Sequence, residues 1–214
     1  MTELTQYLKI FVAVYVLVNP LEGIPVFLAR TQKLKDMDRR TVAYLAAVGV
    51  TVILLVALFV GRALLALLGI SNGAFATAGG IIIFLIALKM VNGQMDEPDS
   101  NAGQADKGIR RFALVPLATP LLAGPGPISS VILYASKGTS GQGATWLDDV
   151  VLTGIILVVG LATWAALRAA DPLRRVLGET GIEVSTRVSG ILVAAIAVQL
   201  IQEGLVELLP VLAK

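Results

Sequence analysis

A chain of 214 residues in which 56% are hydrophobic and only 15% charged, against about 25% charged in an average soluble domain, is built for a bilayer rather than for water. It contains no cysteine and no histidine, which excludes disulfides, thiolate nucleophiles, imidazole bases and the usual zinc sites, and no P-loop for ATP hydrolysis. The net charge of +2 gives no reason to expect a nucleic-acid partner, because in a membrane chain the distribution of charge between faces matters more than its sum.

The opening MTELTQYLKI begins acidic and holds its only cation, Lys9, at the edge of the first apolar run. A cleaved leader would start basic and end at a small-residue site, so the first span, Leu8 to Ala29, is expected to remain in the mature chain. That span is interrupted by LVNPLEGIPVFL, Leu17 to Leu28. The second and third spans are Val42 to Gly61 and Ala74 to Met90. A polar stretch, DEPDSNAGQADKG from Asp96 to Gly108, follows and reads as a linker. The fourth span, Phe112 to Ala135, is interrupted in its turn by TPLLAGPGPISS, Thr119 to Ser130. Val150 to Leu167 and Val188 to Leu208 complete six spans, each near the ~20 residues that cross hydrocarbon.

The two halves match one another. LVNPL, Leu17 to Leu21, aligns with LATPL, Leu117 to Leu121; GIIIFLIAL, Gly80 to Leu88, aligns with GILVAAIAV, Gly190 to Val198; and Gly69 falls near Gly178. The shared order is a broken span, a plain span and a glycine-led span. Three crossings per unit force the second unit to enter from the opposite side, the inverted repeat of many secondary transporters. The expected fold is therefore an all-α membrane protein, with residues 1–95 as the first three-helix repeat, 96–110 as a cytoplasmic linker and 111–214 as the inverted second repeat.

Thirteen cations, among them Arg30, Lys33, Lys35, Arg39, Arg40, Lys89, Arg168, Arg174, Arg175 and Arg187, fall near one face of this topology, against Lys9, Arg62, Lys137 and Lys214 near the other. The rich face should be cytoplasmic, which puts both termini outside.

Proline has no amide hydrogen and clashes with the carbonyl four residues back, so Pro20 and Pro25 release the carbonyls of Val16 and Leu21, and Pro120, Pro125 and Pro127 those of Pro116, Leu121 and Ala123. Such groups persist in a membrane only where protein or a watery cavity receives them. New half-helices are expected to begin near mid-membrane, around Gly23 to Val26 and around Pro127 to Ser130, with free amides and positive dipole ends that favour a carboxylate. The loosened carbonyls of the preceding halves, with the side chains of Asn19 and Thr119, suit an ammonium group. A small, uncharged amino acid fits both requirements. The expected binding set is Asn19, Pro20, Glu22, Gly23 and Pro25 from the first break, with Thr119, Pro120, Gly124, Pro125, Gly126, Pro127 and Ser129 from the second.

Glu22 is the only carboxylate deep within a span; desolvation there disfavours its charged form, and it is a candidate proton carrier or ammonium partner, or faces a watery vestibule. Lys89 is placed to snorkel to the interface. Asn92, Gln199 and Gln202 are assigned to packing, Ala74, Ala78, Gly190 and Ala194 to close helix approach, and Trp146 and Trp164 to anchoring or packing. Of the paired hydroxyls at the restarting half-helix, Ser129 is preferred to Ser130 as a ligand contact.

On these residues, NPLEGIPVFL, TPLLAGPGPISSVIL and the glycine-led last span, the chain resembles the MarC family over nearly its whole length. The resemblance implies a bacterial or archaeal inner-membrane transporter of small neutral amino acids such as glycine and alanine, with protons as the candidate coupling ion, no cofactor and no enzymatic role. Glu22 departs from the family, which commonly has a small or apolar residue there. The competing expectation is a passive channel or facilitator for small polar solutes. An enzymatic reading would rest on Ser129 with Lys89, which the topology puts on different faces of the membrane.

Overall fold

The computed structural model describes residues 3–21, 23–31, 34, 36–93, 122–138 and 145–209, and among them every regular element is helical. The helices are α1 (Glu3–Val18), α2 (Gly23–Thr31), α3 (Asp36–Leu68), α4 (Asn72–Asn92), α5 (Pro125–Lys137), α6 (Trp146–Arg168) and α7 (Ala170–Leu208). By length and apolarity, α3, α4, α6 and the Thr180–Leu208 part of α7 can each cross a membrane. Glu22, Thr119, Pro120, the linker and the first half of the fourth span lie outside the described residues.

The helices run past the apolar segments that mark them in the sequence, because apolarity measures the hydrocarbon slab and helix continues into the interface. Thus α3 begins six residues before Val42, with Asp36 and Asp38 in its first turn, where carboxylates complement the dipole. It also continues through Arg62, whose charge is taken up by Asp149 on α6. Ser71 caps α4 by accepting from the Ala74 amide at 3.2 Å, and Gly93 closes it in the left-handed region. Thr145 and Asp148 form a reciprocal capping box on α6.

Two antiparallel pairs organise the packing. Along α3 and α6, Arg39 bonds Asp171 just beyond the end of α6, Thr51 lies against Gly160 and Arg62 bonds Asp149. Arg39 and Arg62 are 23 positions apart, a rise of ~35 Å, so ion pairs close both ends of this interface across about one hydrocarbon thickness. The α4 and α7 pair is held closer still. A β-carbon on Gly80 would sit 2.9 Å from the Ala197 carbonyl, and one on Gly204 would sit 2.6 Å from the Gly73 carbonyl. Small residues permit such backbone contact in lipid, where helices have no hydrophobic drive to associate. The stripe on α4 is Gly73, Ala76 and Gly80, all buried, whereas Ala78 is exposed. The expected role of Ala78 is thereby corrected: it is two positions off the buried face.

Equivalent positions in the two halves behave alike. The residues from Gly80 to Met90 and those from Gly190 to Leu200 have the same burial class at each of eleven aligned positions. Any one-sided helix has a buried stripe; the match fixes its phase. Gly69 and Gly178, which fall near one another in the alignment, have φ of 65° and 66°, positive values that glycine adopts without steric cost.

Candidate functional site

The first break is local and complete. Helix α1 stops at Val18, and Asn19 follows with φ 42°, a left-handed turn that asparagine tolerates better than other side-chain-bearing residues. Its amide donates to the Tyr15 carbonyl at 3.0 Å. Asn19 and Pro20 are buried. Of the carbonyls deprived by proline, that of Leu21 is recovered, accepting from the Ile24 amide at 3.1 Å. The restart at Gly23 agrees with the sequence expectation.

The second half-helix begins at Pro125, two residues earlier than expected, with Gly124 as its N-cap and no side-chain cap. Proline fits the first helical position because its missing N–H would be unpaired anyway. Pro125 is exposed, while Gly124, Gly126 and Pro127 are buried. The consequence for chemistry is a restriction on donors. Pro125 and Pro127 have no N–H and the Ile128 amide donates to the Gly124 carbonyl at 3.3 Å, so within the first turn Gly126 carries the remaining amide. At α2, Ile24 is already bonded to the Leu21 carbonyl and Pro25 has no N–H, and the Gly23 amide has no backbone partner among the described residues.

These two glycines lie where the broken segments meet. A β-carbon on Gly23 would fall 3.1 Å from Leu122 Cδ2, and one on Gly126 would fall 3.8 Å from Leu17 Cδ2 and 3.3 Å from Ile83 Cγ1 on α4. Each break therefore packs a leucine over the glycine of the other. The surrounding Val18, Ile24, Ile83, Leu122 and Ala123 are 0–1% exposed, so among the described residues the junction is buried, apolar and close-packed.

Ser130 is fully buried and its hydroxyl has no hydrogen-bond partner among the described residues. Tyr134, one turn on, is near enough to interact with that hydroxyl but outside hydrogen-bond geometry. Burying a hydroxyl unpaired costs about 1–3 kcal/mol, and such orphans in native folds call for an explanation. Ser129, preferred from the sequence, instead turns to α4, where its Oγ would lie 3.1 Å from a β-carbon on Gly79. Helical phase decides between the two serines, and that phase follows from where α5 starts, which the prolines set two residues earlier than expected. Lys89 lies ten residues beyond Gly79 on α4, a rise of ~15 Å, too far from Ser129 for a serine–lysine dyad.

A second polar group links the halves at the other end of α5. Lys137 bonds Glu203 on α7 at 3.2 Å, with Glu207 at 3.9 Å; Gln199 donates to Glu203 at 3.2 Å; and Glu207 accepts from the Gly73 amide at the start of α4 at 2.8 Å. Gln199 thus hydrogen-bonds the ion-paired Glu203, one turn on along its own helix, rather than serving only as packing. Nothing in the spacing of Lys137 and Glu203, 66 positions apart, announces the pair.

A family model described as MarC family integral membrane protein matches residues 4–209. The chain is 36% identical over 206 residues to the UPF0056 membrane protein YhcE of Escherichia coli strain K12, covering 95% of this chain and 94% of that one. It is 34% identical over 205 residues to the UPF0056 membrane protein of Buchnera aphidicola subsp. Schizaphis graminum, covering 96% and 94%. It is 35% identical over 204 residues to the UPF0056 membrane protein MJ1677 of Methanocaldococcus jannaschii, covering 95% and 97%. No solved structure matches the chain.

Proposed function

The chain belongs to the MarC family of multi-pass integral membrane proteins, and on that footing we propose that it is a secondary transporter, moving small neutral amino acids of the glycine and alanine type across the cytoplasmic membrane by alternating access. The observation that carries this reading is the junction itself: two helix restarts cross glycine to leucine, each with a glycine amide that has no backbone partner among the described residues, beside a buried serine hydroxyl with no partner among them.

The chemistry follows from the donor and acceptor count. The carboxylate of a zwitterion takes the Gly23 and Gly126 amides at the positive ends of α2 and α5, and the Ser130 hydroxyl supplies a third donor. Its ammonium faces the last carbonyls of α1, including that of Val16, whose helical partner Pro20 has no N–H. Leu17, Ile83 and Leu122 crowd the two glycines, so the site favours a small substrate side chain.

For transport the two halves act as an inverted repeat, rocking about this junction. The matched burial phase of α4 and α7 and the positive φ shared by Gly69 and Gly178 support that reading. The close-packed junction is then the closed state, and Leu17 and Leu122 are the groups that separate as it opens. The cation-rich face is cytoplasmic, both termini are outside, and protons are the coupling ion. Glu22 is the proton carrier on this account, and no covalent chemistry is assigned.

Reconstituted protein should accumulate labelled alanine above its external concentration when a proton gradient is imposed. Alanine that only equilibrates, with or without the gradient, would leave a passive facilitator in place of the coupled carrier. Glu22→Gln should abolish accumulation and its pH dependence while exchange persists; unchanged values would remove Glu22 from the coupling step.

A further inference from the structure

One cavity open to the surface lies away from the helix junction. About 200 Å³ in volume, it lies where the C-terminal part of α2, the start of α3, the end of α6 and the start of α7 converge. Ligand pockets for drug-sized molecules run to about 300–1,000 Å³, so this one takes a smaller group. Its chemistry is ionic. Arg39, Arg40 and Arg168 line it together with Asp36 and Asp171.

Pairing sorts these charges. Arg39 is neutralised by Asp171 at 2.9 Å, with its guanidinium 6.0 Å from the centre of the Phe27 ring, and so serves as wall. Arg40 and Arg168 have no ion-pair partner among the described residues, and the opposing charge left is that of Asp36, in the first turn of α3 where the helix dipole already favours it. A single negative charge is wanted between the two free guanidiniums, and arginine forks suit phosphate oxygens.

What lies below the arginines selects the source of that phosphate. From Arg40, α3 continues into the bilayer through Tyr44, Val48 and Val52, all exposed. From Arg168, α6 continues towards its N-terminus through Trp164, Leu161 and Leu157, exposed as well. Two apolar tracks thus run into the bilayer from one cationic mouth. A free phosphate has no use for them; a two-tailed lipid does. The geometry points to a binding site for the phosphodiester headgroup of an anionic phospholipid, held by Arg40 and Arg168 with its acyl chains along α3 and α6. Basic pockets between spanning helices on the cytoplasmic side bind anionic headgroups in this way, and the cation-rich face assigned from the sequence is where this cavity lies. Because Phe27 forms part of the wall, an occupied site also braces the half-helix that starts at Gly23.

Native mass spectrometry of the purified full chain in detergent tests the site independently of any transport activity. Phosphatidylglycerol should be retained in preference to phosphatidylcholine. Taking the usual contribution of a basic residue near an anionic surface, Arg40→Gln or Arg168→Gln should weaken retention about fivefold and the pair roughly 25-fold. Arg187→Gln removes the same charge from the same face away from the cavity and should leave retention unchanged. Gel-filtration profiles identical to wild type establish that the variants are folded. Equal retention of the two lipids, retention that survives the double substitution, or an equal loss with Arg187→Gln would overturn the proposal. So would inorganic phosphate at millimolar concentration displacing the lipid as readily from wild type as from the double variant, since a headgroup held through the arginines competes with phosphate only while they are present.

Discussion

Ser129 and Ser130 differ by about 100° around the axis of α5, and that rotation separates a packing residue from a candidate ligand group. Ser130→Ala makes the distinction measurable because stability and function should move in opposite directions. Removing an unpaired buried hydroxyl relieves a desolvation cost of about 1–3 kcal/mol, so the melting temperature should hold or rise. A hydrogen bond to a charged carboxylate contributes about 1.5–3 kcal/mol, so the concentration of alanine giving half-maximal uptake should rise by roughly 10–100-fold. Ser129→Ala should change neither by much. A Ser130→Ala protein that melts lower and transports normally would make the hydroxyl a structural group. Gly126→Ala is the companion test. Its new methyl meets Ile83 and Leu17 at 3.3 and 3.8 Å, contacts that a shift of a few tenths of an ångström accommodates, so the protein should fold. The methyl occupies space the substrate side chain needs, and alanine uptake should fall several-fold more than glycine uptake in parallel flux assays.

At the level of elements, the α4 and α7 pair depends on the absence of side chains. Gly80→Ala would press a methyl on the Ala197 carbonyl at 2.9 Å and the Ile201 amide at 3.0 Å, atoms that cannot rotate away. Overpacking typically costs 1–3 kcal/mol, and here the backbone has to part, so thermal stability in detergent should fall by about that upper value. Gly154→Ala on α6 meets nothing within 4 Å and should be neutral or slightly stabilising; equal losses at both sites would contradict the packing described. Arg62, bonded to both Asp149 oxygens at 2.6–2.7 Å and to the Ala135 carbonyl at 3.1 Å, ties α3 to α5 and α6. Arg62→Gln should cost about 1–3 kcal/mol, a range typical of charged hydrogen bonds, measured as a lowered melting temperature and partly restored in Asp149→Asn/Arg62→Gln. These elements show what the sequence makes legible. Proline placement located both breaks, since a missing N–H has the same consequence in any context. Apolar length located four helices long enough to cross a membrane, α3, α4, α6 and the Thr180–Leu208 part of α7. The Lys137–Glu203 and Arg62–Asp149 pairs are illegible because partners on different helices leave no periodic trace, and the sequence does not separate Ser130 from Ser129 because one residue of helix phase depends on where α5 starts.

Across the whole molecule, the account joins two kinds of interface. The α3/α6 pair, closed by Arg39–Asp171 at one end and Arg62–Asp149 at the other, spans both faces and joins an element of each half. Between them the broken helices meet through movable side chains, Leu17 and Leu122, rather than through backbone. A carrier needs this contrast: firm contact at the ends of paired helices and a junction that opens by rearranging leucines. Alternating access has a kinetic signature that a pore lacks. Proteoliposomes preloaded with unlabelled alanine and diluted into a trace of labelled alanine should show counterflow, with internal label overshooting its equilibrium level before it declines. A monotonic approach to equilibrium, unaffected by alanine inside, would contradict a site exposed to one side at a time.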